Sequence, residues 1–200
     1  MMWTLTDHGL VAGGLIVNLL LFYLGFFLAN NRVAGSAALQ NAGRKLFENK
    51  IKQLDKNPLL RQFKNAADQG KSPLAAIIIG LLISIKNIGM TLVSYVGINV
   101  VMLPVQGVFM ASLIFEMDKR GLPKNEINLV TQIQFASMNL FSLIGLWAGY
   151  HHWIVGMTLT EIWSKYWTFF GASAAVGIFL ACMAASRELG FFQKHKRLIQ

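Results

Sequence analysis

Lys86 is the residue whose type and setting most demand a chemical explanation. It stands inside residues 73–117, a run of 45 residues that is almost wholly apolar, and Asn87 follows it directly. An ionisable side chain within a membrane span is a functional-site hypothesis, because insertion at a helix centre costs about 2.5–3.5 kcal/mol. Three kinds of chemistry would retain it. The side chain can snorkel to the outer interface along its apolar stem. It can bond polar groups of neighbouring helices, for which Asn18, Gln106, Gln134 and Asn139 are the candidates. It can also pair with an acid or carbonyl supplied by another subunit. No acid lies clearly within a span: Glu116 falls at the inner end of one and Glu161 in an outer segment. That absence weakens a self-contained proton relay.

Helix geometry narrows the question further. Ala76, Gly80 and Ser84 lie at four-residue spacing and form a face suited to close helix contact, with Asn87 near it. At about 100° per residue, Lys86 stands roughly 240° round from Gly80. Its neighbours on its own helix are Ile79, Leu82, Ile83, Met90 and Val93, so it belongs to no polar stripe. Pro104 interrupts the second half of the run and predicts a kink, with Gln106 and Gly107 just beyond it.

Other reactive side chains form no constellation. His8, His151 and His152 are expected on one side of the membrane. The adjacent pair points about 100° apart on a helix, which does not suit chelation of one ion. Interfacial anchoring is the expectation, and neither a metal nor a cofactor is. The single cysteine, Cys182, lies in the last apolar run and reads as a small core residue. No nucleotide-binding glycine loop, nucleophile elbow or cysteine–histidine cluster occurs. A non-catalytic protein is therefore expected.

The elements that must position these residues are membrane spans. Of the 200 residues, 54% are hydrophobic and 14% charged, and the apolar ones fall in long runs. The net charge of +9 fits basic cytoplasmic loops facing anionic lipid. Nucleic acid is not expected as a partner, because no recognition module is present. Residues 1–29 read as a first span, too long for a signal-peptide core and without a basic start, so a retained helix is expected. Residues 30–72 carry nine basic residues against three acids and read as two amphipathic helices broken at Asn57–Pro58. The first has a stripe of Leu39, Ala42, Leu46, Ile51 and Leu54, with Phe47 beside it. Residues 118–127 form a charged loop. Residues 128–150 form a fourth span with Gln132, Asn139 and Ser142 on one face. Residues 151–167 are rich in Trp and Tyr and read as an outer interfacial segment. Residues 168–186 form a fifth span whose small residues Ser173, Gly177, Ala181 and Ala185 repeat every fourth position, and 187–200 are a basic tail.

As one helix, residues 73–117 would extend about 67 Å, over twice the ~30 Å hydrocarbon core. A helical hairpin turning near Gly97 and Asn99 resolves this. Charge supports it: with five spans, 16 of the 18 Lys and Arg residues fall on one side, leaving only Lys86 and Lys165. The expected fold is an all-α, polytopic membrane protein: a bundle of about five transmembrane helices with a central hairpin, the N-terminus outside and the C-terminus cytoplasmic. The bacterial inner membrane is the expected location.

Amphipathic helices this short need a surface. Anionic headgroups or a docking partner are the expected ones, contacted by Arg44, Lys45, Phe47, Lys50, Arg61, Phe63 and Lys64. The partners expected are lipids and other membrane subunits or further copies of the chain. The leading expectation is a non-catalytic subunit of a larger membrane assembly, with secretion, conjugation and respiratory-type assemblies fitting equally. The alternative is a small transporter or channel using Lys86 and the polar fourth helix, and a membrane enzyme ranks third. Cysteines introduced at Gly97 and Lys119 are expected to react with impermeant thiol reagents from opposite sides of the membrane; labelling from the same side would break the five-span topology.

Overall fold

The structure, a computed structural model, describes residues 5–56 and 72–195. Among them there is no β-strand. Six long helices follow in order: α1 (Leu5–Asn30), α2 (Ala37–Lys56), α3 (Ser72–Tyr95), α4 (Asn99–Lys119), α5 (Lys124–Gly149) and α6 (Leu159–Lys194). All but α2 are long and apolar enough to cross a membrane. Short elements join them, a 3-10 turn at Val33–Gly35 and a π-helical turn at Tyr150–Ile154.

The turns follow from local chemistry. Residues 73–117 divide into α3 and α4 around Gly97, whose φ of +77° is open to glycine at little cost. Asn99, expected in that turn, is instead the first residue of α4 and is buried. Helix α6 starts within the expected outer segment and runs unbroken into the tail. Its start is a capping box: Glu161 N–H donates to Thr158 Oγ1 at 3.3 Å, and Thr158 N–H donates to Glu161 Oε2 at 2.7 Å.

The two arms of residues 73–117 scarcely touch each other. Helix α3 packs on α5 and α6, whereas α4 packs on α1 and α2, and α5 joins the two groups. The reason lies in the glycines. Lipid tails are as apolar as leucine, so helices in a membrane associate through close van der Waals packing and polar contacts. Gly25 of α1 abuts the Pro104 carbonyl, and Gly107 of α4 abuts the Phe22 carbonyl. Gly145 and Gly149 of α5 abut the carbonyls of Thr91 and Tyr95 in α3, and Gly80 of α3 sits on Cys182 of α6. In each case a Cβ would collide with the neighbouring helix. Pro104 lies within continuous α4 at its closest approach to α1.

Helix α2 lies along α4, with Gly43 against the Ser112 carbonyl. Phe47, expected beside the apolar stripe, is its buried centre, packed with Ile114, Met117, Leu122, Ile127 and Phe191. The Arg120 guanidinium stands 4.3 Å from the centroid of its ring. The surface this amphipathic helix needs is thus supplied by the chain's own spans, so Phe47 is not exposed to headgroups or a partner. The second amphipathic stretch, with Arg61, Phe63 and Lys64, lies outside the described residues.

Gly25→Ala and Gly145→Ala are expected to lower stability by about 1–3 kcal/mol each, because the added methyl must push a backbone away. Gly9→Ala and Gly13→Ala, which have nothing within 4 Å of the new Cβ, should leave stability unchanged or slightly raised. Unfolding of the purified protein in detergent micelles, followed by circular dichroism, measures the difference.

Candidate functional site

Lys86 is exposed, and it makes no hydrogen bond or ion pair with another described residue. It projects from an exposed side of α3, at helical spacing from Leu82, Ile85 and Gly89, all exposed. The next residue, about 100° round the helix, is on the packed side: Asn87 is buried, and its Nδ2 donates to Ser137 Oγ at 3.0 Å. Lys86 and Asn87 therefore sit on adjoining faces of one helix, about 100° apart, the first exposed and the second packed. Nine residues separate Lys86 from Tyr95 at the helix end, about 13 Å along the axis.

The polar side chains expected to meet Lys86 are engaged elsewhere. Asn18 is fully buried, and its Nδ2 donates to Asn139 Oδ1 at 2.7 Å and to Ser142 Oγ at 3.1 Å. Asn99 Nδ2 donates to Asn18 Oδ1 at 3.2 Å, and the hydroxyls of Ser94 and Ser142 lie 2.7 Å apart. One buried cluster thus ties α1, α3, α4 and α5 together. A second link runs from Asn87 to Ser137, whose hydroxyl donates to the Gly177 carbonyl of α6 at 2.7 Å. Thr91 Oγ1 donates to the Phe141 carbonyl at 2.9 Å. Gln106 Nε2 meets Met90 Sδ at 3.3 Å. Gln134 Nε2 donates to Glu188 Oε2 at 2.8 Å. Gln132, placed on the Asn139 face by periodicity, is exposed in a shallow groove with Leu15, Leu19 and Tyr23 of α1.

The small-residue stripes lie in these contacts. Ala76 and Ser84 of α3 are buried with Gly80 between them. Ser173, Ala181 and Ala185 of α6 are buried, and Gly177 lies against the Phe141 ring.

Charged residues gather at the end of the bundle where α2, the α4–α5 loop and the end of α6 meet. Lys50 of α2 pairs with Glu188 of α6 at 2.5 Å. Arg120 Nε donates to Glu116 at 2.8 Å, and Lys194 Nζ to Glu126 at 2.8 Å. Arg44 bonds Asn41 of its own helix, and Lys45 is exposed. Reading the sequence did not single out Glu188. Its i, i+4 spacing from Ala184 on the buried face of α6 was the available signal.

The opposite end is aromatic. His151 is buried; its Nδ1 lies 3.0 Å from the Trp147 carbonyl and its Nε2 2.9 Å from the Tyr166 hydroxyl. His152 Nδ1 contacts the Met157 carbonyl at 2.9 Å. His151 thereby ties the π-helical turn to α6, and His152 ties it to the linker that precedes α6. Among the described residues no group of three or more His, Cys, Asp or Glu side chains is placed to hold a metal ion.

The chain matches no protein-family model, curated protein or solved structure. The class defined by its fold is that of helical membrane proteins, with five spanning-length helices among the described residues.

Asn18→Ala and Asn139→Ala are each expected to destabilise the protein. Intramembrane side-chain bonds average about 0.6 kcal/mol and reach about 1.7. In the double variant the losses should be less than additive, because both substitutions remove the same bond. A double-mutant cycle read by unfolding in micelles tests this; strict additivity would show that the pair is not coupled.

Proposed function

We propose that this chain is a non-catalytic integral subunit of a larger membrane assembly, in which it contributes a transmembrane contact surface. The observation that carries the reading is the placement of Lys86. The interior amides and hydroxyls bond one another, while the one lysine in the middle of an apolar helix faces outward. An ammonium held there against lipid costs about 2.5–3.5 kcal/mol. Contact with another subunit removes that cost.

The transporter alternative requires Lys86 and the polar face of α5 to line one path. Lys86 is on an exposed side of α3, whereas the polar face of α5 is occupied by interhelical bonds with Asn87 and Ser94. This arrangement gives that alternative no support. The reading also has the N-terminus outside, with the basic end on the cytoplasmic side of a bacterial inner membrane. Its support is the charge asymmetry of the loops. Secretion, conjugation and respiratory-type assemblies all remain compatible with a subunit of this form.

Purification from its native membrane in mild detergent is expected to recover the chain with other integral membrane proteins in fixed proportion, as measured by intact-complex mass. Recovery as a monodisperse species containing this chain alone would overturn the subunit reading.

A further inference from the structure

We infer that the Lys86 face of α3 receives a transmembrane helix of a different polypeptide, one carrying an aspartate or glutamate at mid-membrane depth. The inference rests on the subunit reading and names the chemistry of the partner. The exposed strip contains Leu82, Ile85, Lys86, Gly89 and Leu92. These positions recur at three- and four-residue spacing, so they form one helix-wide surface. Gly89 is the notch in that strip: a Cβ built there meets nothing within 4 Å. It stands three residues from Lys86, where a second backbone could come close to α3 beside the ammonium. The other described glycines of α3 through α6 with open surroundings lack a charged neighbour of this kind in mid-span.

Charge complementarity selects the occupant. An ammonium offers three donors and accepts no hydrogen bond, so its partner must supply acceptors. An amide or hydroxyl would accept a bond and leave the charge, whereas a carboxylate does both. A second copy of this chain does not provide one at that depth. Among the described residues, Asp7 and Glu161 lie at the aromatic end, and Glu48, Asp55, Glu116, Asp118, Glu126 and Glu188 lie toward the basic end. A two-fold contact through this strip would place two lysines together. Lipid phosphate lies beyond the hydrocarbon core, and the ~13 Å of helix between Lys86 and Tyr95 exceeds the span of a four-carbon stem. A foreign helix with a central acid satisfies the strip, the notch and the charge together.

The test uses the purified full chain in phosphatidylcholine vesicles and three synthetic leucine-rich peptides of about 20 residues, differing only in a central Glu, Gln or Leu. Energy transfer between labelled chain and labelled peptide reports association. The Glu peptide is expected to associate at least about tenfold more tightly than the Leu peptide, with Gln between them. Lys86→Met should abolish that preference and Lys86→Arg should keep it, with thermal unfolding of both variants showing that they fold. Equal association of all three peptides, or a Glu preference that survives Lys86→Met, would overturn the inference. So would energy transfer between two labelled copies of the chain that disappears in Lys86→Met, which would assign the strip to a homodimer. Co-purification of partner proteins from native membranes distinguishes the two levels: if partners are recovered but the Glu preference is absent, this inference fails and the subunit reading stands.

Discussion

Close approach of helix backbones at glycine is the constraint on which this structure depends. In a bilayer there is no water to expel from between helices, so their association rests on contact and on interhelical hydrogen bonds. Gly145 against the Thr91 carbonyl brings α5 and α3 close enough for Thr91 to bond Phe141 and for Ser94 to bond Ser142. Gly25 and Gly107 do the same for α1 and α4, whose proximity lets Asn99 reach Asn18. The glycines come first in the causal order. With a side chain at those positions the helices would stand apart, and the short side chains of serine and asparagine could no longer span the gap.

That order explains why Lys86 is left outside. A polar group in the membrane interior needs a partner, and a short one finds it only where backbones are close. The α3 faces toward α5 and α6 are taken up by Gly80, Ser84, Asn87, Thr91 and Ser94. A long ammonium side chain would fill the space those contacts require. The remaining surface of α3 is apolar and exposed, and Lys86 lies on it. The outward lysine and the tightly bonded interior are two results of the same packing.

Much of this was legible in the residues. Run lengths and loop charge indicate five spans, and five helices of spanning length are found. The angle between Lys86 and the Ala76–Gly80–Ser84 face placed the lysine away from close packing, and it is exposed on the far side of α3. Which helices face one another was not legible. Periodicity defines a face on one helix and is silent about the helix opposite, so Asn18 and Asn139 were singled out as possible partners of Lys86, whereas they bond each other. Asn99 was assigned to the turn because asparagine favours turns, but burial of its amide against Asn18 won over local propensity. The hairpin follows from run length and loop charge, which say nothing of what its arms pack on; the glycine positions commit each arm to other helices. Phe47 stood beside the stripe drawn from aliphatic residues alone; the glycine at 43, four residues before it, marked the face that docks.

The basic end adds a last distinction, between charge that pairs within the bundle and charge that is left exposed. Lys50, Arg120, Lys124 and Lys194 each face an acid of the same chain. Exposed pairs of this kind contribute about 0–1 kcal/mol each, but Lys50–Glu188 is partly covered and joins α2 to α6, which adjoin nowhere in sequence. Through it and Phe47, α2 becomes part of the bundle. The other face of α2 carries Arg44, Lys45 and Lys52, all exposed. The helix thus divides its residues by face: one face binds α4 and α6, and the other leaves its cations exposed. Such a helix is anchored by protein contacts, so its attachment to the bundle does not depend on the lipid it meets.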